Sequence, residues 1–473
     1  MLKFEKLGTN ASLIKPYLKS SKISFCDISV GVKYMWREEF SVEYAIYDNT
    51  LILKESGLDY TDAFYYPMGE NPIGALEQIE KYCIKNNKPL LFCCIDNATA
   101  AEFSSRYNNV QITNNRDWSD YIYEAEKFKT YSGKKLSGQR NHVNKFKKLY
   151  PNYKFKNIEK SDFSAIKDFL DEYERNTDVS LWPKKVERQK VYDLIVNAVE
   201  LEQFGGLIEA CGKVVALSVG EVVGDTLIVH VEKALKTYEG AYPTMAQEFA
   251  KAFAEKGVKF INREEDCGDI GLRISKLQYK PLEVKEKNFV RAFTIFENIT
   301  SPIKVCTQRL VIEPISKDDK EDYAKLYLDE QLNVLWGYDY KEDLGENKPT
   351  PDYFYNFQNL LKSKKEEYSL AVKLDGKMIG ELVLHNFDFF GGVEMGFRFF
   401  REYQGKGYAV ESASALKDYV FNQLQATALK SRCFKQNLAS KKLITRLGLK
   451  QVEEDKTHYY FKLNKNIKDD IAN

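Results

Sequence analysis

The sequence lacks a long hydrophobic run, a leader segment and any appreciable net charge. An apolar run such as Leu90 to Ile95 is strand-sized, whereas a membrane-spanning helix needs roughly 20 apolar residues. The first residues, Met1 to Lys6, have neither the apolar core nor the cleavage site of a signal peptide. With 70 Lys and Arg residues against 69 Asp and Glu residues, the overall charge argues against a protein that coats nucleic acid and leaves open only a local basic patch. These features predict a cytoplasmic globular protein without a membrane span.

Histidine is scarce and cysteine is scattered. The four histidines, at positions 142, 230, 385 and 458, lie far apart and show no metal-ligand spacing. The eight cysteines also lack paired spacing, which is typical of reduced core residues in a cytoplasmic protein. The sequence therefore predicts no metal cofactor.

Turn-forming residues divide the chain, whose 473 residues predict about two to four domains. The clearest boundary is Asn298 to Pro302, and a weaker one is Asn114 to Trp118, where polar residues interrupt the apolar periodicity. We therefore predict three segments, namely 1–118, 119–300 and 301–473.

The last third has the most legible pattern. Asp375-Gly376 is a hairpin signal between two alternating runs, and a third alternating run ends at Phe399. The predicted elements are strands 367–374, 377–385 and 393–399, a helix from 409 to 424, a strand 428–434, a helix 438–447 closed by Gly448, and a strand 457–463. Residues 205–280 repeat this succession without sequence identity, which favours a repeated architecture.

The segment Gln404-Gly-Lys-Gly-Tyr-Ala409 stands between a predicted strand and a predicted helix. Glycines lack the Cβ atoms that would block a ligand, so backbone N–H groups can point outward at the start of the helix. That end of a helix carries partial positive charge and suits a pyrophosphate. The spacing fits neither a P-loop nor a dinucleotide fingerprint, and a simple turn is the alternative.

Several motifs occur in one order, namely Glu394 to Phe399, Gln404 to Ala409, Glu411, and Asn437 to Ser440 before Leu443 to Leu449. In this order they resemble the GNAT family of acetyl-CoA-dependent N-acetyltransferases, particularly the branch that acetylates ribosomal-protein N-termini and other amines. The resemblance covers approximately residues 307–465 and implies acetyl-CoA as cosubstrate. It implies a CoA site formed by Phe399, Arg401, Gln404, Gly405, Lys406, Gly407, Tyr408, Ala409 and Asn437.

Acetyl transfer to an amine needs a proton acceptor, because an amine with the lysine reference pKa of about 10.4 is protonated at neutral pH. Glu394, on the strand before the loop, is the candidate general base. Ser440, which the resemblance places near the departing thiolate, is the candidate general acid. The alternatives are a surface or strand-pairing role for Glu394 and a helix N-cap role for Ser440.

Aromatic residues at 335–340 and 353–355, with Asp339, Glu342 and Asp343, are either an acceptor pocket for a cationic amine or a solvated loop.

The segment from Lys127 to Lys148 holds eight Lys or Arg residues and no acidic residue. Such a run suits the phosphates of tRNA, of a lipid headgroup or of CoA. The alternative is a solvated helix face.

Three further stretches, 131–146, 238–243 and 262–281, are similar to the family of the phosphatidylglycerol lysyltransferase C-terminal domain. The similarity covers roughly residues 1–297 and implies two tandem GNAT-like lobes. Some relatives transfer an aminoacyl group from tRNA to a lipid or peptide. The residues that match the family motif, and would form a polar charged cleft, are Arg140, Asn262, Glu264, Asp266, Arg273 and Lys276. A structural salt-bridge network is the alternative.

The sequence thus predicts a mixed α+β protein of three GNAT-like lobes, each a mixed, mostly antiparallel sheet flanked by helices. The C-terminal lobe is expected to transfer an acetyl group from acetyl-CoA to a protein N-terminus or small-molecule amine by direct attack. Two alternatives for the N-terminal pair are aminoacyl transfer from charged tRNA and a non-catalytic sensing or targeting role. Lysyl transfer is disfavoured because no membrane region precedes the domain. The second lobe also has Lys233 to Tyr238 where a Gly-x-Gly loop would stand, so no CoA pyrophosphate is expected there.

Overall fold

The computed structural model describes residues 2–9, 11–21, 25–57, 59–175, 182–338, 341 and 349–465. The chain forms two compact units. Unit 1 comprises Met1–Ile79, Leu91–Ala100 and Ile112–Val290, and unit 2 comprises Glu80–Leu90, Ala101–Gln111 and Arg291–Asn473. The boundaries at 118 and 300, and the division into three lobes, stay predictions.

The strands follow the chain in three groups. In chain order they are β1 Glu5–Lys6, β2 Glu43–Tyr47, β3 Thr50–Glu55, β4 Ala63–Phe64, β5 Met68–Gly69, β6 Leu90–Ile95, β7 Asn109–Asn114, β8 Asp120–Glu124, β9 Lys154–Asn157, β10 Phe204–Ala210, β11 Lys213–Val223, β12 Thr226–Ala234, β13 Phe260–Asn262, β14 Glu283–Lys285, β15 Asn288–Phe293, β16 Val305–Cys306, β17 Leu310–Pro314, β18 Glu367–Leu374, β19 Lys377–His385, β20 Gly392–Phe399, β21 Ala428–Phe434, β22 Lys450–Glu454 and β23 His458–Asn464.

Helices lie between these strands. They include α1 Lys15–Ser20, α2 Val30–Trp36, α3 Pro72–Lys85, α4 Asn97–Arg106, α5 Ala125–Thr130, α6 Ser137–Leu149, α7 Phe163–Arg175, α8 Trp182–Val196, α9 Ala241–Phe253, α10 Ile270–Gln278, α11 Lys320–Leu328, α12 Glu330–Asn333, α13 Pro351–Ser363, α14 Tyr408–Asn422 and α15 Leu438–Arg446. In the part of the chain that the structure describes, none of the helices combines the length and the apolar character that crossing a bilayer demands.

Three mixed, mostly antiparallel sheets result. The first has the order β1-β2-β3-β4-β6-β15-β7, with β5 paired to β3. The second has the order β14-β8-β13-β12-β11-β10-β9, and the third β16-β17-β18-β19-β20-β21-β23-β22. Each sheet contains a parallel pair, namely β4 with β6, β12 with β13, and β20 with β21. Because a parallel pair needs a crossover connection, a helix separates the two strands in each case: α3, α9 and α14. The fold class predicted from the sequence is confirmed, and the repeated succession of elements extends to all three sheets.

The local signals of the third sheet explain its hairpin. Asp375 and Gly376 have φ angles of +50° and +82°, the left-handed pair that a two-residue turn requires between β18 and β19. Gly448, with φ +89°, follows α15 at the position of a left-handed cap.

Separate cores support the sheets. A core in unit 1 joins Leu53 of the first sheet with Leu217 of the second sheet and Phe169 of α7, so the first two sheets share buried side chains. A second core packs α14 against the third sheet through residues such as Leu416 and Met395. The expectation of buried cysteines is correct for five of them and wrong for Cys211, Cys267 and Cys306, which are exposed.

Candidate functional site

The third sheet opens into a crevice between two parallel strands. β20 and β21 pair only as far as Glu394 and Lys430, although the strands continue to Phe399 and Phe434. Both strands then lead into helices, α14 and α15, that begin beyond the same ends of the strands. In parallel arrangements, ligands bind outside the carboxyl ends of strands where neighbouring strands diverge. This crevice is the candidate site of unit 2.

The glycine loop forms one rim of the crevice. The Gln404 side chain donates from Nε2 to the carbonyl oxygen of Phe399 at 2.9 Å, which fixes the exit from β20. Gly405 and Gly407 have φ angles of +74° and +84°, and Gly407 is the N-cap of α14. A Cβ atom at Gly405 would meet nothing within 4 Å.

The backbone amides of this rim have no protein acceptor. Among the described residues, none of the N–H groups of residues 405–410 donates to the protein. The start of a helix leaves such donors exposed and carries partial positive charge. The loop therefore offers a site for an anion such as a pyrophosphate.

A cation that the sequence did not reveal stands beside the loop. The Arg309 guanidinium lies 4.5 Å from the ring centroid of Tyr408, and its Nη1 donates to the carbonyl oxygen of Lys406 at 3.3 Å. Its Nε also donates to Glu411 at 2.7 Å. Burial raises the pKa of Glu411, but hydrogen bonds from Thr307 and Arg309 outweigh burial and lower this pKa. Arg309 thus offsets the one carboxylate in the first turn of α14, and the rim stays attractive to anions.

Glu394 occupies the point where β20 and β21 begin to diverge. Its Oε2 accepts a hydrogen bond from Asn386 Nδ2 at 2.8 Å, and its Oε1 lies 3.3 Å from Arg432 Nε. His385 pairs with Glu394 in the β19–β20 register, and its Nε2 lies 4.0 Å from Glu394 Oε1. The Glu394 side chain is 13% exposed, so the predicted base is half-buried among charged and polar groups. Its catalytic role stays a prediction.

The other predicted catalytic residue lies beyond β21. Asn437 is the N-cap of α15, and its Oδ1 accepts from the backbone N–H of Ser440 at 3.1 Å. The alternative interpretation of Ser440 as a helix N-cap is therefore wrong, because Asn437 has that role. Both residues belong to the helix start that follows β21.

Trp336 and Gly337 lie against both walls of the crevice. A Cβ atom at Gly396 of β20 would stand 2.6 Å from Cη2 of Trp336, and one at Gly337 would stand 3.2 Å from Cζ of Phe434. The predicted aromatic segment thus contacts the crevice through Trp336. Four other residues proposed for an acceptor pocket, Tyr340, Asp339, Glu342 and Asp343, lie outside the described residues. The predicted aromatic residues 353–355 lie on α13, where Phe354 is buried in a core with Tyr327.

A buried ion pair supports this wall. Arg398 Nε donates to Glu381 Oε2 at 2.7 Å, and its Nη1 donates to Asn333 Oδ1 at 3.0 Å. The guanidinium lies 3.9 Å from the Tyr327 ring centroid and 5.0 Å from that of Trp336. These contacts fix Trp336 above Gly396.

The second sheet has a similar strand-to-helix exit that is closed. Gly240, the N-cap of α9, has φ +85°, close to the value at Gly407. A Cβ atom at Gly240 would stand 2.3 Å from the carbonyl oxygen of His142 in α6, whereas the nearest atom to one at Gly407 is Arg309 Nη2 at 3.5 Å. Close packing of α6 thus covers Gly240 on the side of its missing Cβ atom, whereas Gly407 is not covered in this way.

Five of the six residues predicted for the N-terminal cleft form connected hydrogen bonds in unit 1. Asp266 is fully buried and accepts from Arg273 Nε at 2.8 Å and from Tyr121. Burial raises the pKa of Asp266, but these hydrogen bonds outweigh burial and lower this pKa to about 2. Lys276 donates to the carbonyl oxygens of residues 263–265. Much of the motif therefore stabilises its own loop.

Asn262 connects this loop to β8, because its side chain donates to Asp120 at 2.6 Å and accepts from the Glu264 backbone N–H at 2.8 Å. Arg140 lies apart from this network and donates instead to the carbonyl oxygens of Tyr131 and Gly133. The structural-network interpretation accounts for these hydrogen bonds, and a ligand role for the six residues stays a prediction.

His230 lies between two carboxylates that the sequence did not bring together. Its Nδ1 is 2.7 Å from Glu264 Oε1, and its Nε2 is 3.0 Å from Glu221 Oε1. Burial lowers the pKa of His230, but the two carboxylates outweigh burial and raise it to about 9. The imidazole is therefore a buried cation at neutral pH.

A buried cluster of charges surrounds Lys287 in unit 1. The Lys287 ammonium, 3% exposed, contacts Asp120 Oδ1 at 2.8 Å and Cys26 Sγ at 3.2 Å, and it also pairs with Asp27 and Glu265. One ligand atom from each of these four partners lies within 4.8 Å of the others, an arrangement able to hold a metal ion. The ammonium contacts all four groups and so offsets part of their negative charge.

The pKa values of the cluster differ by environment. Burial raises the pKa of Glu265 to about 7 against the opposing effect of Lys287. For Asp27 burial also raises the pKa, but Lys287 and Lys33 outweigh it and lower the value to about 2. Burial raises the pKa of the Cys26 thiol. The thiol is therefore protonated and unreactive as a nucleophile.

The basic segment is partly neutralised. Four of its cations pair with carboxylates: Lys127 with Glu124, Lys129 with Glu126, Lys145 with Glu239 and Lys147 with Glu248. Binding of tRNA or another anion here stays a prediction.

Comparison with known proteins decides the family. Residues 22–290, more than half of the chain, match the family described as phosphatidylglycerol lysyltransferase, C-terminal. The chain belongs to this family. Residues 309–450 match the acetyltransferase (GNAT) domain, which supports acyltransferase chemistry in the segment that holds the crevice. The resemblance found in the sequence is confirmed for both parts.

The chain is also similar to individual proteins over part of its length. A conserved protein of unknown function from Bacteroides thetaiotaomicron VPI-5482 is 27% identical, covers 62% of this chain and 99% of its own, and has a TM-score of 0.58. The uncharacterized protein MYCGA3080 of Mycoplasmoides gallisepticum is 24% identical over 42% of this chain and 64% of its own length. The uncharacterized N-acetyltransferase YnaD of Bacillus subtilis is 26% identical over 18% of this chain and 51% of its own. The chain thus spans less than two thirds of each of these two curated relatives.

Proposed function

We propose that unit 2 transfers an acetyl group from acetyl-CoA to an amine, either a protein N-terminus or a small molecule. The observation that carries the proposal is the row of unpartnered amides at residues 405–410, at the open start of α14 beside the crevice. The match of residues 309–450 to the GNAT domain supports it.

The CoA pyrophosphate is placed against the amides of Gly405 to Ala409, with Arg309 and Lys406 supplying positive charge. Gln404 and Phe399 hold the loop through their hydrogen bond. The pantetheine arm then extends into the crevice, where β20 and β21 no longer pair. Arg401 and Tyr408 flank the loop, and Asn437 lies at the far end of the crevice.

The chemistry is direct attack of the amine on the thioester carbonyl carbon. Holding amine and thioester together in one crevice lowers the entropic part of the barrier, so a covalent acyl-enzyme is not needed. Glu394 accepts the proton that frees the amine lone pair, directly or through water. In this proposal Ser440, in the first turn of α15, donates a proton to the departing thiolate.

Calorimetry with acetyl-CoA and a thiol-release assay over a panel of amines test the proposal. Gly407→Glu is expected to abolish acetyl-CoA binding, because its carboxylate repels the pyrophosphate at the helix start. Gly376→Glu is the matched control, since Gly376 has nearly the same φ and a Cβ atom there would meet nothing within 4 Å. Wild-type protein that binds no acetyl-CoA, or equal loss of binding in both variants, would refute the proposal.

Family membership favours a second candidate for unit 1, namely aminoacyl transfer from charged tRNA. The basic segment would then bind the tRNA backbone with an affinity that falls steeply with salt. Filter binding at low salt tests this, with Lys134→Ala and Lys135→Ala expected to weaken binding. A flat binding curve for wild type would leave unit 1 with a non-catalytic sensing or targeting role.

A further inference from the structure

His385 lies at the end of β19, directly beside the proposed base. It pairs with Glu394 of β20 on one side and with Glu367 of β18 on the other. Its Nε2 lies 4.0 Å from the same Glu394 oxygen, Oε1, that Arg432 contacts at 3.3 Å. The other Glu394 oxygen accepts from Asn386. Glu394 is thus fixed by two donors, and His385 is the neighbouring group able to take a proton from it.

We propose that His385 is a positioning residue that stores the proton which Glu394 removes from the amine. This inference rests on the proposed acetyl transfer in the same crevice. It assigns a role to a residue that lies one strand away from the crevice and acts only through Glu394.

The proton balance is complete. The ammonium of the acceptor loses one proton to Glu394, and that proton moves from Glu394 Oε1 to His385 Nε2 through one water molecule that bridges the 4.0 Å between these atoms. The freed amine nitrogen forms a bond to the thioester carbon, and the carbon–sulfur bond breaks. Ser440 gives its proton to the thiolate, which leaves as CoA thiol, and the second amine proton restores the Ser440 hydroxyl. His385 later releases its proton to solvent. The stored state is an imidazolium beside a carboxylate, an ion pair that favours the transfer.

The surroundings keep His385 neutral before the reaction. Burial lowers its pKa, Glu394 opposes this, and the positive charge of Arg432 adds to the lowering. From β18 it faces Glu367, whose pKa burial and Glu381 raise to about 7. Lys430, opposite Glu394 on β21, is paired with Asp388. A neutral imidazole at neutral pH is able to accept the proton.

The test is the pH dependence of kcat for wild type and for His385→Gln. In the wild type we expect kcat to fall with decreasing pH along a limb below pH of about 6.5, the ordinary pKa of histidine. In His385→Gln that limb should move to lower pH, towards the carboxylate range, and kcat at neutral pH should fall by about tenfold or more. KM for acetyl-CoA should not change. His142→Gln, an exposed histidine on α6, is the matched control and should keep the wild-type profile.

Arg432→Gln tests the role of His385 independently, because it should shift the pKa of His385 without removing this residue. Removing the guanidinium should raise the pKa of His385 and move the acid limb of kcat upward, and histidine NMR titration should show the same shift without turnover. A wild-type limb retained in His385→Gln, or a His385 titration unaffected by Arg432→Gln, would overturn the proposal. If the acetyl transfer itself is wrong, wild-type protein will not bind acetyl-CoA. If only the role of His385 is wrong, the wild-type protein will bind acetyl-CoA and catalyse acetyl transfer, and His385→Gln will have the same activity and pH profile as the wild type.

Discussion

Lys287→Met should destabilise unit 1 strongly and in a pH-dependent way. The ammonium is 3% exposed and pairs with Asp27, Asp120 and Glu265, so the variant leaves buried carboxylates without their cation. Removing one partner of a buried ion pair costs about 3–5 kcal/mol. We expect a loss of that size in the free energy of unfolding at neutral pH, because methionine fills the volume but supplies no charge.

The sign of the pH dependence follows from Glu265. Its pKa in the folded protein is about 7, above the unfolded value of about 4.3, so its folded form gains protons as pH falls. Without Lys287 the folded pKa of Glu265 rises further, and that of Asp27 rises from its lowered value. The stability difference between wild type and variant should therefore be smaller at pH 5 than at pH 8, where the carboxylates are ionised.

Amide hydrogen exchange in β8 and β13 measures this difference within unit 1. Lys256→Met, an exposed lysine in the same unit, is the control and should change stability by less than about 0.5 kcal/mol. Protection equal to wild type in Lys287→Met, or a difference that grows as pH falls, would refute the reasoning.

Three further variants probe other contacts. Arg398→Met leaves the buried carboxylate of Glu381 in unit 2 without its cation. Amide hydrogen exchange in β19 should show a loss of about 3–5 kcal/mol in stability, whereas protection equal to wild type would argue against the buried pair. Asn437→Ala removes the N-cap of α15 and should reduce local protection there by about 1 kcal/mol; an unchanged helix would contradict the capping role. His230→Asn removes a cation whose pKa is raised to about 9, so its stabilisation is full below about pH 6.5 and is lost as pH rises through 9. Urea unfolding should show a deficit that is larger at pH 6 than above pH 9, and a constant deficit would contradict the sign.

Local patterns in the last third predicted its elements well. The strands predicted at 367–374, 377–385 and 428–434 have the observed bounds, because hairpin signals and short buried runs carry their information within a few residues. β22, Lys450–Glu454, was missed, since all of its residues are exposed and no apolar alternation marks it.

The charged clusters could not be predicted from the sequence, because their members lie far apart along the chain. Cys26 and Lys287 are 261 residues apart, and Arg309 reaches Glu411 across 102 residues. Such pairs depend on the order of the strands in the sheet and on which face of the sheet each side chain occupies. The local periodicity of the sequence does not contain the strand order. The motif Asn262 to Lys276 was found as a sequence, yet the partners that explain it, Asp120 and His230, lie on other strands.

The glycine comparison shows what a motif needs from its surroundings. Gly240 and Gly407 have similar backbone angles at the starts of two helices, but α6 covers the first and the second is open. The sequence distinguishes the two only through the missing second glycine near 240. Access to the amides, rather than the glycine itself, decides which helix start is able to hold an anion.

A crystal structure of the protein with acetyl-CoA tests the central claim most directly. The account predicts diphosphate density within hydrogen-bond distance of the backbone N–H groups of residues 405–410, with the thioester between β20 and β21 near Glu394. Crystals grown in excess cofactor that show this helix start empty, or the diphosphate bound elsewhere, would contradict it.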